Sequence, residues 1–177
     1  MSGPIHQSPL GSHTVATRDL PGMTDHASFE LSFSPNVELI SVVRQFVQTF
    51  YERILKNEDF TSRLGVAAHE LLENAVKFSC DGITHIRVDV QRDARGHEVT
   101  ISTRNRAAPQ HLEALKALME EICSVEDPLA YYQVLMRRSA KRTGGSGLGL
   151  GRIRAEAEMQ LKYSIEGNLV HLQAIGR

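Results

Sequence analysis

Residues 69–79 read HELLENAVKFS. Their apolar members, Leu71, Leu72, Ala75, Val76 and Phe78, continue a series begun by Phe60, Leu64, Ala67 and Ala68 at intervals of three or four. That spacing predicts an amphipathic helix, closed by Asp81-Gly82. Glu70, Asn74 and Lys77 fall three or four residues apart, so their side chains share one stripe. A carboxylate one turn from an amide oxygen can orient an attacking water or hydroxyl beside a magnesium ion held by Asn74. Lys77 can neutralise phosphate. Taken alone, the stripe is better described as a solvated face behind packed leucines.

Working outward, Ser28 to Phe33 alternates as SFELSF, a short strand, and Ser34-Pro35-Asn36 brings turn and cap chemistry. Val37, Ile40, Val43, Phe46, Val47, Phe50 and Ile54 then recur at helical spacing to about Leu55. After residue 82 the period changes to two. Ile83, Ile86, Val88 and Val90, and Val99 and Ile101 beyond the turn at 93–96, fit a hairpin whose second strand ends near Thr103. Helical runs follow at Pro109 to Ile122 and Pro128 to Arg138. A further helix begins near Leu148 and is clearest from Ile153 to Met159, and Leu161 to Ile165 with Leu169 to Ile175 form a closing hairpin turned at Gly167-Asn168. The order β-α-α-β-β-α-α-α-β-β predicts an α/β (α+β) two-layer sandwich, a mostly antiparallel mixed sheet with helices on one face.

A second polar signature, Gly144-Gly145-Ser146-Gly147-Leu148-Gly149-Leu150-Gly151, opens the last helix. Glycines admit an anion close to the backbone, and a helix N-terminus offers free N–H groups and a positive dipole end. The segment lacks the Gly-Lys-Ser/Thr ending of a Walker loop and follows no strand as a dinucleotide fingerprint does. Just before it, Arg137-Arg138-Ser139-Ala140-Lys141-Arg142 concentrates positive charge, suited to phosphates, to an acidic partner or to keeping an exposed helix soluble.

Composition narrows the function classes. Of 177 residues, 41% are hydrophobic and 23% charged, the make-up of an ordinary globular domain. Twenty Lys and Arg against 21 Asp and Glu leave a net charge of -1. No global field draws the chain to nucleic acid or to an anionic membrane, so binding is local. Cys80 and Cys123 are too few for a disulfide framework and are expected as small buried hydrophobes in a cytoplasmic protein. Eight scattered histidines form no HxH or HxxxH pair, and no zinc site is expected. Residues 1–27, rich in Gly, Ser, Pro and His, are expected as a flexible tail without a signal sequence, leaving 28–177 as the domain.

ELLENAVKFS resembles the N-box, and GGSGLGLG the G2 box, of the GHKL (histidine-kinase-like, Bergerat-fold) ATPase superfamily. FELSFSP, VVRQFVQTF and AAHELLENAV look most similar to its anti-sigma-factor serine-kinase branch. The resemblance covers about Ser28 to Ile175. It implies an ATP site beneath a mobile lid, at about 106–146 here, with Asn74 as the Mg²⁺ ligand and Glu70 as general base. Gly145, Ser146, Gly147, Leu148 and Gly149 would wrap the phosphates. It further implies phosphoryl transfer to a serine of a protein partner, whether a STAS-type antagonist, a sigma factor or another signalling domain, and a homodimer.

One motif departs from that pattern. The family's G1 box, Asp-x-Gly-x-Gly, supplies the aspartate that binds the adenine amino group. Here the strand runs into Arg104-Asn105-Arg106-Ala107-Ala108-Pro109, with Asn105 near the aspartate position and no glycine. The amide oxygen of Asn105 still accepts a hydrogen bond, but losing a charge-assisted one costs about 1.5–3 kcal/mol. Two functions therefore stand: an ATP-binding regulator with serine/threonine kinase or ATPase activity, favoured by Glu70, Asn74 and GGSGLGLG, and a non-catalytic docking module, favoured by the missing G1 box.

Overall fold

The computed structural model describes residues 26–140 and 147–177. The elements run β1 (His26–Phe33), α1 (Val37–Leu55), α2 (Glu58–Phe78), β2 (Ser79–Asp93), β3 (Gly96–Ala107), α3 (Pro109–Ser124), α4 (Pro128–Ser139), α5 (Leu148–Ala155), β4 (Gln160–Glu166) and β5 (Leu169–Gly176). The order of elements is the expected one. The five strands lie in the order β1-β2-β3-β5-β4, and every pairing is antiparallel, so the sheet is not mixed.

Short-range chemistry sets the helix starts. Asn36 and Asn57 are N-caps whose side chains accept from the backbone N–H groups of Glu38 at 2.8 Å and Phe60 at 3.0 Å. Lys56, in the left-handed region at φ 51°, ends α1 and turns the chain directly into α2. On α1 the buried residues Ile40, Val43, Val47, Tyr51 and Leu55 recur every three or four positions. They meet Leu64, Ala67, Ala68, Leu71 and Leu72 of α2 and the inward-facing Ile86, Val88, Val90, Val99 and Ile101 of the sheet in one core. Alternation leaves the opposite sheet face polar, where Arg87 pairs with Asp89 at 2.6 Å and with Glu30 at 3.4 Å.

Three boundaries differ from the sequence reading, each because a neighbour overrides the local period. First, α2 stops at Phe78 and not at Asp81-Gly82, because Ser79 already pairs with Ala107. Residues 80–83 bulge out of the ladder before it resumes at Thr84. Second, β3 continues past Thr103 to Ala107, held by β5 through Asn105↔Val170 and Arg106↔Leu169. Third, α5 ends at Ala155, and the turn that follows, with Glu158 at φ 54°, still buries Ala157 and Met159. β1 also opens earlier than expected, with His26 and Ala27 opposite Gln91 and Val90. The cysteines are exposed, not buried: Cys80 rides on the bulge, and Cys123 near the end of α3 directs its thiol to the Leu161 carbonyl of β4 at 3.6 Å.

The wholly buried Tyr51 ties helix layer to sheet by donating its hydroxyl to the Val88 carbonyl at 3.0 Å. Burial, then the charge of Asp89, pushes its phenol well above the ordinary range, so it stays a donor. Tyr51→Phe should lower unfolding stability by about 0.5–1.5 kcal/mol in urea denaturation with the same denaturant slope. An unchanged midpoint would show that this bond contributes nothing.

Candidate functional site

Between α2, the inner end of β3, α3 and the start of α5 lies a cavity of about 740 Å³. Glu70, Asn74 and Lys77 line it from α2, Asn105 from β3, and Gly147, Leu148 and Gly149 from the entry to α5. Every expected site residue that the structure describes is therefore on one concavity. Gly145 and Ser146 lie outside the described residues, as do Lys141 and Arg142 of the basic run. Of that run, Arg138 pairs with Glu121 of α3 at 2.9 Å.

The glycines have a packing reason beside any ligand role. Gly147 takes φ +65°, and a methyl there would meet Leu118 of α3 at 2.5 Å. A methyl at Gly149 would run into the Oε2 atom of Glu70, and one at Gly151 would meet Leu135 of α4 at 2.5 Å. Alternate residues thus bring the start of α5 against three different helices, with room at each for nothing larger than hydrogen.

Glu70 is buried, and its charge is met by a residue the sequence reading missed. Arg152 donates from Nη1 to Glu70 Oε1 at 3.1 Å and from Nε to Glu156 Oε2 at 2.6 Å. The bond to Glu156 and then that to Glu70 raise the affinity of its guanidinium for its proton. Tyr132 of α4 lines the same corner, its phenol pushed up by burial and by Glu156. Gly149, Arg152 and Glu156 fall at i, i+3 and i+7 of one helical face, but that face alone does not point to Glu70 on α2.

Asn74 donates from Nδ2 to the Glu70 carbonyl at 2.8 Å, a bond back along the helix that leaves Oδ1 as the outward acceptor. A hard cation takes such an oxygen, and Mg²⁺ keeps the rest of its octahedron in waters and substrate phosphates. The donor set fits one protein ligand, Asn74, with Glu70 held by Arg152. Among the described residues no group of His, Cys, Asp and Glu gathers closely enough to hold a metal by itself. His69 lies against Glu73, 3.8 Å away, on the same wall.

Residues 33–173 match the histidine kinase-like ATPase domain. The chain belongs to that family. A chain of the SiaB-SiaC complex from Pseudomonas aeruginosa has the same fold, with a TM-score of 0.63 over 84% of this chain and 88% of that one, at 13% identity. No curated protein sequence matches. Within the histidine kinase-like ATPase fold, the expected N-box stripe and the described end of the glycine-rich segment, Gly147–Gly149, line one cavity. No described helix is long and apolar enough to cross a membrane.

Two substitutions test the corner. Arg152→Ala strands a buried carboxylate and should cost about 1–3 kcal/mol of stability, while adding Glu70→Gln should recover most of the loss. Additive effects in this double-mutant cycle, read by chemical denaturation, would mean that the pair does not couple.

Proposed function

We propose that the protein is an ATP-binding regulator that takes Mg·ATP into this cavity and acts on a protein partner, as the resemblance to anti-sigma-factor serine kinases implies. The convergence of Glu70, Asn74, Lys77 and Gly147–Gly149 on one concavity carries the reading. In it, Lys77 and the N-terminus of α5 would meet the phosphates, and Asn74 would hold a magnesium ion through its amide oxygen. Bound magnesium would neutralise the charge on the transferring phosphoryl group. Glu70 takes the proton of a partner's serine hydroxyl as that oxygen bonds to the γ-phosphorus and the bond to the β-phosphate oxygen breaks, releasing ADP.

The Arg152 pair limits that last step. With Nη1 on Oε1, Arg152 stabilises the Glu70 carboxylate and competes with a hydroxyl for it, which makes it a weaker base. This observation favours the second reading, in which the fold docks a partner without turnover. A protein partner is common to both, and the solved neighbour is itself one of a two-protein complex.

Isothermal titration of the full chain separates them. Mg·ATP should bind with a Kd below about 100 μM. Asn74→Ala should abolish the magnesium dependence, and Lys77→Ala should weaken binding about tenfold. Glu70→Ala should retain binding and lose phosphoryl transfer to partner. Absence of heat at that concentration, with or without magnesium, would leave only the docking module.

A further inference from the structure

Asn105 is buried, at 5% exposure, yet its carboxamide makes one long hydrogen bond, Nδ2 to the Arg106 carbonyl at 3.4 Å. Among the described residues nothing donates to its Oδ1. A carboxamide can make about four hydrogen bonds, so most of this capacity is open to whatever fills the cavity that Asn105 lines. Two hydroxyls nearby in the sheet are also unspent. Thr84 lies directly opposite Asn105 across the β2–β3 ladder, and Thr103 stands two residues earlier on the same face. Both hydroxyls are buried without a partner. Neither threonine lines the cavity, so Asn105 is its polar group at this end, while the nearby walls are apolar: Phe78, Ala107, Leu115 and Val170. Apolar walls around one unspent carboxamide describe a seat for a flat heterocycle.

Accepting the nucleotide reading above, on which this rests, we infer that the site accepts guanine as readily as adenine and that Asn105 sets this tolerance. The chemistry is in the amide. Its oxygen accepts and its nitrogen donates side by side, and it can present the pair in either order by turning over. Adenine offers a donor at its 6-amino group beside an acceptor at N1. Guanine offers the reverse, an acceptor at O6 beside a donor at N1. One carboxamide pairs with both. An ionised carboxylate only accepts, so it suits the adenine amino group and repels guanine O6. The ligand class is therefore a purine nucleoside triphosphate, with the base unselected.

Calorimetric titration of the full chain with Mg·ATP and with Mg·GTP tests this. Wild type should bind the two with dissociation constants within about tenfold, and Asn105→Asp should weaken GTP relative to ATP by about a hundredfold or more. Asn105→Leu, close in size and unable to hydrogen-bond, should weaken both by a similar factor and guards against an Asp variant that fails to fold. Binding of ATP with exclusion of GTP by wild type would overturn the inference and leave the nucleotide reading standing. A ratio unmoved in a folded Asp variant, or full affinity for both nucleotides in the Leu variant, would overturn it too. Absence of binding by either nucleotide would overturn both readings together.

Discussion

The buried carboxylate of Glu70 is the constraint around which the site is arranged. It sits on the inner side of α2, where only a partner of opposite charge offsets the loss of water. Arg152 supplies that charge from α5, and Arg152 reaches it only because α5 approaches without a side chain at Gly149. Arg154, two residues on and on the other side of the helix, donates to the carbonyls of Ile122 and Val125 at the end of α3, the latter at 3.2 Å. The short helix behind the glycine loop is therefore fastened to α2 by one arginine and to the C-terminal end of α3 by another.

That fastening changes how the glycines are read. A glycine-rich loop at a helix start invites a purely ligand-centred account, with backbone opened to phosphate. In this fold Gly147, Gly149 and Gly151 face Leu118, Glu70 and Leu135, so each is also the point where a different helix closes on α5. The start of α5 is therefore in close contact with α2, α3 and α4, and a larger residue at any of the three positions would displace one of them.

Much of this was legible in the sequence because two periods are unambiguous. The 3.6-residue stripe of Phe60 to Phe78 and the alternation of Ile86, Val88 and Val90 each bury one face, which leaves little freedom in the order of layers. Glu70, Asn74 and Lys77 were found because they share a helix. Asn105 was found by position, although the strand that carries it was drawn too short: what extends β3 is pairing with Val170 and Leu169, distant in sequence. Arg152 escaped for the same reason in another form, since its partner Glu70 is on another helix and no local pattern announces a long-range ion pair. The exposed cysteines show the limit of residue-type averages, as Cys80 sits where a bulge carries the chain outward.

The junction of α2 and α5 as a nucleotide seat is tested most directly by amide-resolved NMR of the full chain during titration with Mg·ATP. The backbone amides of Gly147, Leu148 and Gly149, the side-chain amides of Asn74 and Asn105, and the Arg152 guanidinium should shift together along one saturating curve, with the outer face of the sheet unmoved. Saturable shifts confined to β1 and α1, or a set that spares α5 while nucleotide is bound, would contradict the account.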